Sequence, residues 1–297
     1  MTIDTSTTAQ PDNGRIEPDE REVEETPLLI LRPATGWQVL DFREIWRYRD
    51  LLLALAARDV KLRYRQTALG ATWVVLQPLI AAALFAFVFG RVARLPSDGV
   101  PYFVFSYAGL LAWNIFNGTL TKASVSLVQN SQLISKVYFP RIIVPVSTVF
   151  SSLVDFAVAL VMMAAIMAWN RVIPSFSILL LPIWLILILM LSVGCGLFCA
   201  ALMVTYRDVQ YVVPVITQFL MYASPVAYSI TAVPVHLRVL YQLNPLSGIL
   251  EAFRWSLLGK GHLDGWAITS SVFFSFAALL GGAAYLRNTE RRFADVI

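Results

Sequence analysis

The tightest constraint on this chain is the stretch Phe176–Val204, 29 residues without an Asp, Glu, Lys or Arg. A helix crossing the hydrocarbon core of a bilayer uses about 20 apolar residues, so this run can span with length left for tilt. Ala71–Gly90 is likewise uncharged and is interrupted only by Gln77-Pro78. Ile142–Trp169 carries one charge, Asp155, whereas Val209–Tyr228 and Trp266–Leu286 carry none. Tyr102–Leu120 is a weaker candidate because Asn114 and Asn117 sit near its end. Six spans over residues 71–286 is the most economical count. The runs lack the alternation and regular turns of an outer-membrane barrel, so the expected fold is an all-α membrane protein. The composition agrees, with 58% hydrophobic and only 14% charged residues. Those figures exclude a disordered chain, a nucleic-acid-binding domain and an ordinary cytosolic enzyme.

Orientation follows from the basic residues between spans. Of the 23 Lys and Arg, 17 fall in the segment before the first span, the 2–3 and 4–5 connections and the C-terminal 287–297, and six fall in the other connections. Basic flanks stay cytosolic, which places both termini in the cytosol. Residues 1–33 hold eight acids against three arginines. They lack the basic start and apolar core of a secretory signal and are expected to form a disordered acidic cytosolic tail.

Three segments are neither span nor plain loop. Within 34–70, residues 37–69 read as an amphipathic helix. Arg43, Arg47 and Asp50 share a side opposite Ile45 and Leu52, and Arg58, Lys61 and Arg65 share another at i, i+3 and i+7. Such a helix suits the cytosolic headgroup layer of anionic lipid. The 2–3 connection, 122–141, contains a short helical pattern from Asn130 and Ser131 through Lys136. Leu133, Ile134, Val137 and Tyr138 are grouped on it, and Phe139-Pro140 stops it. Either these apolar residues dock into a partner or they pack on the chain's own interior. The 5–6 segment, 229–265, is too long for a hairpin. A short helix is expected at 234–240, and Asn244-Pro245 starts a second with a capping side chain and proline at the first turn. Leu246, Ile249, Leu250, Phe253 and Leu257 form one apolar stripe there, and Glu251 and Arg254 are spaced to pair. Neither helix can span, so both should re-enter or cap the outer leaflet.

Catalytic chemistry is missing. No phosphate loop occurs, since Gly259-Lys260 is followed by Gly261. His236 and His262 have no zinc-site spacing, and no GxSxG elbow or clustered carboxylates appear. Cys195 and Cys199 lie on adjacent turns of one run and are expected to be small packing residues. No catalytic, metal or cofactor site is expected. Asp155 is the one acid inside a span, a functional candidate by default. No Lys or Arg within the six runs can pair with it, so a hydrogen-bonded role beside Ser151 and Ser152 is the expectation.

These pieces, in this order, resemble the permease subunit of ATP-binding-cassette exporters for lipid-linked polysaccharides of the O-antigen, capsule and teichoic-acid type. The likeness covers about residues 42–292. It rests on Arg63-Tyr64-Arg65-Gln66-Thr67-Ala68-Leu69-Gly70 with Trp73 and Leu76-Gln77-Pro78, and on Asn130 through Pro140-Arg141 with Pro145. Tyr206-Arg207-Asp208 leading to Ser224-Pro225-Val226-Ala227-Tyr228 continues it, as does Asn244-Pro245-Leu246 leading to Glu251-Ala252-Phe253-Arg254. The resemblance implies a homodimer in the bacterial cytoplasmic membrane, paired 2:2 with a separate ATPase that binds ATP and magnesium. Asn130, Ser131, Leu133, Ile134, Lys136, Val137 and Tyr138 would form the coupling helix. Arg58, Lys61 and Arg65 would belong to the interface helix, and Asn244, Pro245, Glu251, Phe253 and Arg254 to the outer gate. Trp73, Trp113, Phe116, Phe219 and Tyr222 are candidates to line a glycan path, since sugar rings stack on aromatics. An exporter of a smaller lipid or drug, a membrane-bound glycan-assembly enzyme and a proton-coupled secondary transporter are the rivals. The last two are disfavoured by the absence of clustered acids and of internal repeats.

Overall fold

The structure is a computed structural model that describes residues 42–65, 70–261 and 263–290. The acidic tail at 1–33, residues 34–41, Gln66-Thr67-Ala68-Leu69 of the first motif, the Arg65 side chain, His262 and residues 291–297 lie outside what is described. Among the described residues every regular element is helical. In order these are α1 (Phe42–Arg47), α2 (Arg49–Arg65), α3 (Gly70–Phe85), a π-helical continuation (Ala86–Val92), α4 (Tyr102–Gln129), α5 (Ser131–Lys136) and α6 (Ile143–Trp169). There follow a 3-10 turn (Phe176–Leu180), α7 (Leu181–Thr205), α8 (Val209–Tyr222), a second 3-10 turn (Ile230–Ala232), α9 (Val235–Leu243), α10 (Pro245–Leu258) and α11 (Gly265–Glu290).

Among the described residues, four helical stretches are long and apolar enough to cross a membrane: Thr72–Val92, Ile143–Trp169, Phe176–Thr205 and Gly265–Glu290. α8 is apolar but has only 14 residues, about 21 Å at 1.5 Å per residue. It stops at Tyr222 rather than running to Tyr228, because Ser224-Pro225 breaks it and the chain turns. α4 departs from expectation in the other direction. No helix breaker intervenes before Asn130, so the helix runs past Leu120 to Gln129 and carries Lys122 within it. The 2–3 connection therefore shrinks to α5 and a short turn on each side.

α4 is the centre of the bundle, packed against α3, α6, α7 and α10. Val104, Phe105, Tyr107, Ala108, Ala112 and Ala123 on it are fully buried. Lipid tails supply no hydrophobic drive between helices, so close approach depends on small residues. α7 and α11 show this, because a methyl group on Gly194 would strike the Ala278 backbone and one on Gly282 would strike the Gly194 carbonyl. Cys195 and Cys199 are partly buried free thiols on the same helix. They line an apolar cleft of about 520 Å³ with Phe116, Thr217 and Tyr285.

A second, smaller core forms at the α5 end of α4. Leu52 and Leu55 of α2 meet Leu127, Ile134, Phe139, Ile143, Leu197 and Leu286 there. The segment expected as one amphipathic helix is broken at Tyr48 into α1 and α2. Leu52, Leu55 and Ala56, at i, i+3 and i+4, bury one side of α2, and the helix packs on α6.

Candidate functional site

Two short connections at opposite ends of α4 collect most of the residues singled out from the sequence. At one end, α5 is a single turn and a half between α4 and α6, and its side chains divide sharply. Ile134 is buried and Leu133 half-buried against the smaller core, whereas Val137 and Tyr138 are 50% and 73% exposed. Ile134 and Leu133 therefore pack on the chain's own interior, and Val137 and Tyr138 do not. Lys136 and Gln132 are exposed beside Val137 and Tyr138. Asn130 closes α4 by donating from Nδ2 to the Ser126 carbonyl at 2.8 Å and receives Arg58 Nη2 of α2 on Oδ1 at 2.7 Å. Arg58 also grips Asp59 at 2.8 Å, while Lys61 is exposed. Beyond α5, the Arg141 N–H donates to Glu290 Oε1 at 3.2 Å, and Arg141 Nη1 donates to the Glu290 carbonyl at 3.3 Å. The turn after α5 is thereby tied to the end of α11.

Asp155 corrects the sequence reading. Lys122 Nζ lies 2.9 Å from its Oδ2 and Arg63 Nη2 lies 3.0 Å from the same oxygen. Lys122 was missed because it fell beyond the apolar run, although the helix carries it on. Ser151 and Ser152 turn instead to the Thr148 carbonyl, at 2.9 and 3.4 Å. Ser151 Oγ also accepts from Lys122 at 3.0 Å.

At the other end, the chain from Tyr222 to Tyr228 is irregular and largely buried. Backbone without a ladder must find donors elsewhere, and here consecutive carbonyls are each met. Tyr228 Oη donates to the Tyr222 carbonyl at 2.7 Å. Asn244 Nδ2 donates to Ala223 O at 3.3 Å and to Ser224 Oγ at 2.9 Å. The Val226 N–H reaches Ser224 O at 2.7 Å. Arg254 Nη2 donates to Pro225 O at 2.5 Å and Val226 O at 3.0 Å. Tyr102 Oη of α4 donates to Ala227 O at 2.7 Å. Gly109 makes room for this turn, because any Cβ there would strike the Val226 carbonyl.

Asn244 does double duty, since its Oδ1 accepts from the Leu246 N–H at 3.1 Å and caps α10, with Pro245 in the first turn. The stripe Leu246, Ile249, Leu250, Phe253 and Leu257 is buried throughout. Arg254 is only 3% exposed, with its guanidinium 4.0 Å from the centre of the Phe105 ring and its Nε without an acceptor. The expected Glu251–Arg254 ion pair does not form. Glu251 Oε1 accepts from the Ile230 N–H at 3.3 Å instead, and Arg254 prefers carbonyls that would otherwise be unsatisfied. Burial lifts the Glu251 carboxyl to about 7 against the pull of Arg254. Burial likewise draws Arg254 down to about 10, which leaves it a cation at neutral pH.

With both ends described, the chain can be set beside known proteins. Residues 50–258 match the ABC-2 type transporter family. The chain belongs to that family. Among similar proteins, the O-antigen export system permease protein RfbA of Myxococcus xanthus is 26% identical over 258 residues, 86% of this chain and 98% of the relative. RfbA of Klebsiella pneumoniae is 26% identical over 249 residues, 84% and 95% of the two chains. The polysialic acid transport protein KpsM of Escherichia coli is 22% identical over 242 residues, 80% and 92%.

In this ABC-2 type transporter chain, an integral membrane protein, the aromatic candidates do not gather into one lining. Trp113 and Phe116 pack together inside the core, ring centres 5.6 Å apart, and both are 3% exposed. Trp73 of α3 and Phe219 and Tyr222 of α8 face outward. Tyr102 and Gly109 were given no role from the sequence, and Tyr228 was noted only as the end of a motif. Their signal would have been the proline-broken turn itself, whose carbonyls demand donors.

Proposed function

We propose that the chain is the membrane-spanning subunit of an ATP-driven exporter that moves a lipid-linked polysaccharide, of O-antigen type, across the bacterial inner membrane. The names of the relatives support the substrate class. The 26%-identical relatives that are covered almost end to end support an architecture shared along the whole length. In this reading six segments cross the bilayer and both termini face the cytosol. α8 and the turn after it serve as the fifth crossing, and α9 and α10 fold back into the outer leaflet as the gate. Two copies of the chain would assemble with two copies of a separate ATPase, which binds ATP and magnesium. The chain is the transport permease, and ATP hydrolysis belongs to the partner subunit.

The observation that carries the reading is α5. Val137 and Tyr138 stand in solvent on a turn anchored from beneath by Ile134 and flanked by Arg58–Asn130. Exposed apolar residues on a fixed pedestal fit a groove in a partner better than they fit water. Phe253 and Arg254 are buried, so they hold the gate in place rather than touch cargo. Trp73, Phe219 and Tyr222 remain the aromatics that lipid or glycan can meet.

The test is affinity purification of the tagged chain from cells that co-express the products of neighbouring genes. A 2:2 complex is expected, and Tyr138→Asp should lose the ATPase while leaving the chain folded in the membrane. ATP turnover by the chain purified alone would overturn the assignment.

A further inference from the structure

Asp155 is the meeting point of three elements. It sits on α6 and is reached by Lys122 from α4 at 2.9 Å and by Arg63 from α2 at 3.0 Å. α4 and α6 are the two helices that α5 joins. α2 touches the tip of the same hairpin through Arg58 and Asn130, at 2.7 Å. α2 is therefore fastened to the α4–α5–α6 hairpin at two points five residues apart, about 7.5 Å along its axis. One such point would be a pivot. Two, with Leu52 and Leu55 buried between α2 and the hairpin, remove the freedom to pivot.

Stability alone does not call for this arrangement. A partly exposed ion pair contributes little to folding, and a second cation on one carboxylate adds repulsion between the cations. What the arrangement secures is geometry.

We infer that Asp155 is a positioning residue for energy coupling: by holding Lys122 and Arg63 together it makes α2 and the α4–α5–α6 hairpin one lever, so that a push on α5 is delivered to α2 and not lost at their seam. The inference rests on the exporter reading above. Asp155 touches neither nucleotide nor cargo in that reading. Its loss should separate hydrolysis, which belongs to the partner ATPase, from export, which needs the lever.

The experiment compares wild type, Asp155→Asn and Asp155→Glu. Each is expressed with its ATPase in cells lacking the chromosomal copy and then purified as the complex. Surface polysaccharide is read by immunoblot of intact cells, and ATP hydrolysis is read on the complex in proteoliposomes. Coupling between sites is commonly worth 5- to 150-fold, so Asp155→Asn should lower surface polysaccharide about tenfold at unchanged complex yield and ATP hydrolysis. Asp155→Glu, which keeps the charge, should restore export to within about twofold of wild type. If Asp155→Asn fails to assemble, Lys122→Met/Asp155→Asn removes the more buried of the two stranded cations and should assemble, hydrolyse ATP and still export poorly. Export at the wild-type level by Asp155→Asn or by the double variant overturns the inference. So does a parallel loss of export and hydrolysis, which marks a merely structural group. A wild-type chain that brings down no ATPase overturns the exporter reading itself, and the inference with it.

Discussion

The two ends of α4 hold a short connection in opposite ways. Around α5 the ties are charged pairs between partly exposed side chains, with exposures of 42% for Arg58, 42% for Arg63 and 23% for Lys122. Around the 222–228 turn a buried cation, two phenols and one amide each donate to backbone carbonyls. The difference follows from what surrounds each connection. Where water is near, a loop's carbonyls can be hydrated and side-chain charges only set position. Where none is near, each carbonyl needs its own donor, and a missing donor costs the full desolvation of the group. One end is therefore positioned by charge, and the other is locked by buried hydrogen bonds.

Arg254→Met is the hardest blow to that contrast. Methionine fills much of the volume over Phe105 but leaves the Pro225 and Val226 carbonyls without donors, at about 1–3 kcal/mol each. A loss of about 2–5 kcal/mol is expected, read as a fall in the unfolding midpoint of the detergent-solubilised chain. Because the site is buried, the loss should be the same at low and high salt. A salt-sensitive loss would place Arg254 in the same class as the α5 end.

Glu251 sharpens the contrast through pH. Burial raises its carboxyl from 4.5 to about 7, so between those values the folded chain holds a proton that the unfolded chain has released. Stability then falls as pH rises through that window and levels off above it. Glu251→Gln should abolish the fall, giving a flat profile of unfolding midpoint from pH 5 to about 7. Parallel profiles for the two proteins would mean that the carboxyl is not held in this way.

How much of this was legible in the sequence depended on whether a signal was local. The Asn244 cap, the proline after it and the stripe from Leu246 to Leu257 are encoded within one helix, and the structure places them as read. The partners of Asp155 are 33 and 92 residues away, and Lys122 was hidden because a hydropathy boundary is not a helix boundary. Helices continue past the membrane wherever nothing breaks them. The Glu251–Arg254 pair that the spacing allowed is missing for a similar reason. Spacing of three favours a pair on an exposed face, but on a buried face the unsatisfied carbonyls of a distant turn compete and win. For Trp113 and Phe116, the character of the residues was legible, but the direction they face was decided by the packing of α4 at the centre of the bundle.

The gentlest probe acts on the end held by charge. Arg58→Ala removes the contacts to Asp59 and to Asn130, yet it leaves no buried group stranded. Asn130 keeps its bond to Ser126, and its oxygen, like Asp59, can turn to water. The expected cost is under about 1 kcal/mol, and it should shrink further at high salt. The variant should stay as well folded as wild type by thermal unfolding, while ATPase capture weakens, because the tip of the lever loses one of its two fastenings. A cost comparable with that of Arg254→Met would mean that the α5 end is as locked as the turn, and the division of labour between the two ends of α4 would fall.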